Sequence, residues 1–185
     1  YAAWSYTTNG RSNEMASQSW VNSNTHPAGD MTSPSISTGA IIFDSEKVSY
    51  THGNGETPHG AHLISPMIDL SSAAGQNISI KFYTNLLNFQ TDTFVVELSL
   101  DGGNTYTGTD ILVQTGQAIL RGFYNDWFTF NYPNQLSADP TELQNCYLRV
   151  RYFGNHYYFA IDDISIKTTE PCDTAGPLVL SLNSN

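Results

Sequence analysis

Positive charge is scarce in this chain of 185 residues: seven lysines and arginines stand against seventeen aspartates and glutamates, a formal net charge of −10. That balance disfavours nucleic acid and anionic membrane surfaces, and favours solubility or cation binding. Long apolar runs are missing too. The apolar stretches are short and strand-like, so none reaches the ~20 residues a membrane-crossing helix needs. Only two cysteines occur, Cys146 and Cys172. They permit one disulfide tying down the tail in an oxidising compartment, and equally permit two thiols, because a spacing says nothing about Cα separation. Two cysteines also fall short of the four ligands that zinc sites usually recruit. No nucleophile elbow, zincin motif or phosphate-cradling glycine loop appears. Glu97 with Asp101, or Asp162 with Asp163, cannot flank one glycosidic bond from a strand whose neighbouring side chains point to opposite faces. An enzyme is not expected.

What is abundant is Thr, Ser, Asn, Gly and Tyr, arranged in short alternating segments. Residues 78–83 alternate with Ile78, Ile80 and Phe82 inward, and residues 94–100 with Phe94, Val96, Leu98 and Leu100 inward, leaving Glu97 and Ser99 outside. Gly39-Ala40-Ile41-Ile42-Phe43 reads as a buried strand. Ala61-His62-Leu63-Ile64-Ser65 is broken by Pro66, which confines it to a sheet edge or a step between strands. Further strands are expected at 126–132, at 146–153 and, more weakly, near Ile111-Leu112-Val113. The stretch Asp139-Pro140-Thr141-Glu142 has room for one helical turn. Gly154-Asn155 is expected to close an antiparallel hairpin between the strands at 146–153 and 157–166. Residues 1–31 read as irregular apart from a short strand near Trp20, and Thr51–Gly60 as a glycine-rich loop. About eight short strands without an amphipathic helix predict an all-β fold, an antiparallel two-sheet β-sandwich of jelly-roll topology. The domain is expected over residues 1–167, with 168–185 a C-terminal tail or linker that has a possible edge strand at 177–180. The opening Tyr1-Ala2-Ala3-Trp4 reads as that of a mature or excised segment of something longer.

Three groups of residues invite chemistry. In Tyr158-Phe159-Ala160-Ile161-Asp162-Asp163-Ile164-Ser165-Ile166, regular alternation puts Asp162 on the face of Ala160, Ile164 and Ile166. A bulge between the aspartates would instead align Ile161 with Ile164 and leave the pair at the sheet margin. A carboxylate beside a core needs hydrogen-bond donors or a cation. Oxygen ligation by Asp162, Asp163, loop carbonyls and the remote Asp30 would suit calcium; backbone N–H donors alone are the plainer alternative. Next, His52, His59, His62 and Glu56 crowd one loop without a recognised zinc spacing. Finally, Tyr124 and Trp127, with His156 and Tyr157, offer aromatic faces for a sugar or a protein, although aromatic residues more often fill a core. The turn Ser99-Leu100-Asp101-Gly102-Gly103-Asn104-Thr105-Tyr106 matches an Asp-box and is read as structural.

The order of Asp30-Met31-Thr32, Gly39, Phe43, Leu63-Ile64-Ser65-Pro66, Ile80-Lys81-Phe82-Tyr83, Trp127 and Ala160-Ile161-Asp162-Asp163-Ile164 resembles that of MAM-type jelly rolls. It is more similar still to the cleaved-adhesin (gingipain-adhesin-like) modules of secreted Bacteroidetes proteins, over roughly Trp4 to Lys167. The disulfide pattern of animal MAM domains is missing, and Asn9-Gly10-Arg11-Ser12-Asn13 lacks the acidic loop of the bacterial modules. The resemblance implies a non-catalytic adhesion or accessory binding module, secreted or at the cell surface, with a structural calcium on Asp162 and Asp163. It implies as partners an extracellular protein or glycan surface and a neighbouring domain of a longer chain. The alternative is a carbohydrate-binding module that targets a polysaccharide for an attached enzyme.

Overall fold

The computed structural model describes residues 4–7, 31–45, 58–87, 92–115, 123–154 and 157–169. Their alternating segments extend and pair as two antiparallel sheets. One holds, in spatial order, β1 (Trp4–Thr7), β2 (Ala40–Asp44), β9 (Tyr158–Thr169), β4 (Asn77–Leu87) and β7 (Phe123–Asn131). The other holds β3 (His59–Ile64), β8 (Tyr147–Gly154), β5 (Thr93–Ser99) and β6 (Thr107–Asp110). Ile78, Ile80, Phe82 and Leu86 of β4 face Phe94, Val96 and Leu98 of β5 and Leu148, Val150 and Tyr152 of β8 across one core. The result is the predicted two-sheet sandwich of jelly-roll topology.

Aromatic rings span that core. Trp4 lies 5.8 Å from Phe43 and 5.6 Å from Phe159 between ring centres. Tyr152 lies 4.9 Å from Phe43, and Phe94 lies 5.4 Å from Tyr152 and 5.2 Å from Phe159. The Tyr152 hydroxyl, buried with the ring, is 2.8 Å from the Ser45 hydroxyl, so its polar end is not stranded.

Several expectations change. The 146–153 and 157–166 segments do not form a hairpin: β8 pairs with β3 and β5, whereas β9 pairs with β2 and β4. Tyr152 of β8 and Phe159 of β9 enter the same core from opposite layers, because the backbone of β9 is taken up on both sides by β2 and β4 and that of β8 by β3 and β5. Residues 4–7, read as irregular, form the edge strand β1 against β2. Ile111–Thr115 is a helical turn, α1, not a strand. The carboxylate of Asp110 accepts the amides of Leu112 at 2.9 Å and Val113 at 3.3 Å, which caps a helix start and diverts the chain from the sheet. His59 and Gly60, placed in the loop by sequence, begin β3.

Other expectations hold. β3 is an edge strand that stops before Pro66. Pro140–Leu143 forms a 3-10 turn whose start is capped by Asp139. Among the described residues, Cys146 is a buried thiol without a disulfide partner that donates to the Leu143 carbonyl at 3.3 Å, and burial pushes its pKa up; the bridge to Cys172 that the sequence left open reaches outside those residues and stays open. Cys172, Trp20 and residues 170–185 lie outside the described residues; β9 itself runs to Thr169.

The Asp-box turn between β5 and β6 is built as its residue types dictate. Gly102 and Gly103 take φ of 72° and 88°, a region closed to most side chains. Asp101 Oδ1 accepts the amides of Asn104 at 3.1 Å and Thr105 at 2.8 Å, and Oδ2 accepts the Thr105 hydroxyl at 2.6 Å. These bonds, first those from Thr105, hold the Asp101 carboxyl down to about 2 from its ordinary 3.8. Folding therefore disfavours protonation here, so the stabilisation is complete above roughly pH 4 and disappears as pH falls through about 2. Asp101→Asn should lower the urea midpoint at pH 6, and the gap from the unaltered protein should narrow between pH 4 and pH 2. Parallel urea titrations at both ends of that window check it; a gap that does not change with pH contradicts it.

Candidate cation centre and the two outer sheet faces

β9 carries a bulge, but one residue later than the expected one between the aspartates, and it aligns Ile161 with Ile166 and not with Ile164. Ser165 pairs with Lys81 and Asp162 with Tyr83, so Asp163 and Ile164 together oppose Phe82. Asp163 takes φ of 52°, a left-handed conformation that Asp tolerates better than most residues. The inserted residue changes the parity of the strand. Ile161 and Ile166 both reach the sandwich core although five positions apart, and Ile164 is 43% exposed. Asp162 keeps the face of Ala160, but this is the outer face of the five-stranded sheet. There Met31, Ala40, Ile42, Tyr83, Leu87, Tyr158 and Ala160 form a second buried cluster.

Residues 33–35 lie against this bulge. Asp162 Oδ2 is 2.5 Å from the Ser33 hydroxyl and 3.0 Å from the Ser35 hydroxyl, and Asp163 Oδ1 is 2.7 Å from the same Ser35 hydroxyl. The Ser35 amide reaches Asp163 Oδ2 at 3.4 Å, and the Asp163 amide donates to Asp162 Oδ1 at 2.8 Å. Each hydroxyl has one proton, so two protons serve three short oxygen–oxygen contacts. No lysine or arginine among the described residues forms an ion pair with either aspartate. The side-chain atoms gathered here that could ligate a cation are all oxygen, the set a hard cation such as calcium takes, and no third His, Cys, Asp or Glu joins them among the described residues. Asp30, expected as a remote ligand, lies outside those residues.

The aromatic candidates fall on the same sheet. Trp127, Tyr83 and Asp162 occupy one rung across β7, β4 and β9. The Trp127 ring has Tyr83 edge-on at 5.5 Å and the Lys81 ammonium 4.4 Å from its centre. Tyr83 reaches the Thr32 hydroxyl at 2.6 Å and donates to the Asn125 carbonyl at 3.2 Å. Tyr124 donates its hydroxyl to the Trp127 carbonyl at 2.6 Å, and burial, then Asp126, raises its pKa. Tyr157, with φ of 51°, packs on the second cluster at the start of β9. His156 lies outside the described residues, as do the side chains of His52, Glu56 and His59.

The other outer face holds a group that the sequence did not reveal. Two rungs cross the four-stranded sheet: His62, Arg151, Val95 and Asp110, then Ile64, Arg149, Glu97 and Gly108. Glu97 points outward as alternation predicts, yet is only 7% exposed. Arg149 Nε donates to its Oε2 at 2.6 Å, and Arg151 Nη2 reaches Oε1 at 3.4 Å. The Arg149 guanidinium also lies 3.6 Å from the centre of the Tyr106 ring. Gly108 makes room for this arrangement, since a Cβ there would collide with the Val96 carbonyl and the Glu97 side chain. His62 stands exposed beside the pair, its pKa lowered by partial burial and then by Arg149 and Arg151. The alternation of Arg149 and Arg151 was visible, but their partner lies about fifty positions away and pairing register alone brings it near.

No protein-family model matches the chain, and no curated protein matches it in sequence. Among solved structures it is similar to a cleaved adhesin domain of Lys-gingipain from Porphyromonas gingivalis, at 14% identity and a TM-score of 0.47 over 91% of this chain and 85% of that one. It is similar to a bacteriophage CBA120 tailspike domain at 7% identity and a TM-score of 0.45, covering 91% of this chain but spanning only 18% of the tailspike's length. A carbohydrate-binding module, TmCBM61, solved with β-1,4-galactotriose, gives 11% identity and 0.36 over 71% of each chain. Likenesses this distant carry no functional argument.

If Ser35 closes the aspartate pair, Ser35→Ala should cost about 1.5–3 kcal/mol, the range for hydrogen bonds to charged groups. Thr38→Val, at the exposed end of the same segment, should stay within about 0.5 kcal/mol. Urea unfolding of both variants measures the difference, and equal losses would contradict the assignment.

Proposed function

We propose that the chain is a non-catalytic binding module of a secreted or cell-surface protein, steadied by one calcium ion and contacting an extracellular protein or glycan surface. The observation that carries the binding role is the outer face of the four-stranded sheet. Phe153, 48% exposed, and Ile64, 50% exposed, flank the charged ladder there, so apolar contact area and directional polar groups share one accessible surface. Tyr124, Trp127 and Tyr157 have less support as ligand contacts, because neighbouring side chains already occupy much of their surface.

The support for calcium is the proton shortage at Ser33 and Ser35 together with the all-oxygen donor set. Asp162 and Asp163 would hold the ion, with the two serine hydroxyls turning their lone pairs toward it. When bound it would neutralise the paired carboxylates and tie residues 33–35 to β9. The second reading, a carbohydrate-binding module, is favoured by the aromatic and guanidinium groups on that same open face.

Two outcomes are expected. Calcium at 100 times its dissociation constant should stabilise the protein by about 2.7 kcal/mol, and Asp162→Asn with Asp163→Asn should abolish the gain. Thermal melts with calcium and with chelator measure it; identical melts would remove the ion from the proposal. The 185-residue chain should also be retained on immobilised matrix proteins or insoluble polysaccharides and lose that retention on Phe153→Ala. Retention unchanged by this substitution would move the contact surface elsewhere.

A further inference from the structure

The ladder of Arg149, Glu97 and Arg151 leaves one positive charge unmatched in a chain whose net charge is −10. Glu97 uses both carboxylate oxygens inward, one on each arginine. Among the described residues, neither Nη of Arg149 has a hydrogen-bond partner, nor does Nη1 of Arg151, and Arg151 Nε is buried without one. The buried Arg151 Nε is out of a ligand's reach, but guanidinium groups match a carboxylate's two oxygens in plane, so the Nη groups left over by Glu97 are the donors that a second carboxylate would take. The Arg149 guanidinium is already held by the Tyr106 ring and by Glu97, so little freedom is lost on engaging an anion.

Resting on the binding-module reading, we propose that this face takes a carboxylate-bearing sugar residue. Its carboxylate sits on the remaining Nη donors of Arg149 and Arg151 and its ring lies against Phe153. Two observations favour a sugar over an acidic peptide. β8 lies inside the sheet, its backbone paired on both sides, so a peptide cannot add to it as a strand. An exposed aromatic ring stands on the same strand, two residues from Arg151, within reach of one sugar residue's ring and acid group. The chain's net charge sets a further limit: a densely charged polyuronate is repelled, whereas one acidic residue within a neutral glycan is not.

The test uses the full chain and calorimetry with a glucuronic-acid-substituted xylo-oligosaccharide and its carboxyl-reduced counterpart. The acidic glycan should bind at least about tenfold more tightly, and Arg151→Gln should erase that preference, as should Phe153→Ala weaken both. Arg151→Lys, which keeps the charge but loses the planar fork, should restore it only in part. Near-UV circular dichroism of each variant identifies any that misfolds, and Phe153→Ala, at an exposed position, provides an independent reading if an arginine variant does. Equal binding of both glycans, or a preference untouched by Arg151→Gln, overturns the proposal. So does binding only to an aspartate-rich peptide. Retention on matrix protein or neutral polysaccharide without this preference leaves the module reading standing while the carboxylate site falls; absence of all retention overturns both.

Discussion

Five rings, those of Trp4, Phe43, Tyr152, Phe94 and Phe159, close a circuit across the gap between the sheets, and the rest of the architecture is arranged around it. Trp4, Phe43 and Phe159 come from three neighbouring strands of one layer, and Tyr152 and Phe94 from two paired strands of the other. Each such contact adds about 0.5–1.5 kcal/mol beyond the area it buries. Closure matters more than the sum. Phe159 cannot enter the circuit unless β9 lies opposite β8, which is why two strands adjacent in sequence sit in different layers. The same placement fixes the register of β9, and with it the position of the bulge.

The bulge links that core to the candidate cation centre. Phe159 and Ile161 are held inward by the aromatic circuit, and Ile166 is held inward by β4 further along. An odd spacing between inward residues demands one extra residue, and the chain supplies it at Asp163, whose left-handed backbone is compatible with its side chain. The carboxylates thus meet Ser33 and Ser35 because the hydrophobic register leaves a surplus residue at that point. Packing sets the geometry of the site, and the acidic pair exploits it.

Much of this was legible in the sequence because alternation reports which face a residue takes. Ile78, Ile80, Phe82, Phe94, Val96 and Leu98 all lie where period two puts them. Alternation does not report which strands are neighbours, and so Gly154-Asn155 was read as a hairpin. Ile111-Leu112-Val113 has strand-like side chains, but the Asp110 carboxylate competes for its amides and wins. The aspartate pair could be found from its local oddity. The Glu97, Arg149 and Arg151 ladder could not, since it looks like the ordinary solvated face of two strands until they are set side by side. Ser33 and Ser35 were likewise indistinguishable from a polar turn.

One consequence concerns β7, the nine-residue strand at the margin of the five-stranded sheet. At its midpoint the Trp127 amide is taken by the Asp126 carboxylate at 2.7 Å, and the Trp127 carbonyl by the Tyr124 hydroxyl. Side chains of the strand itself thereby fill the two backbone positions that an incoming strand would use. A border long enough to template fibril growth is interrupted at its centre.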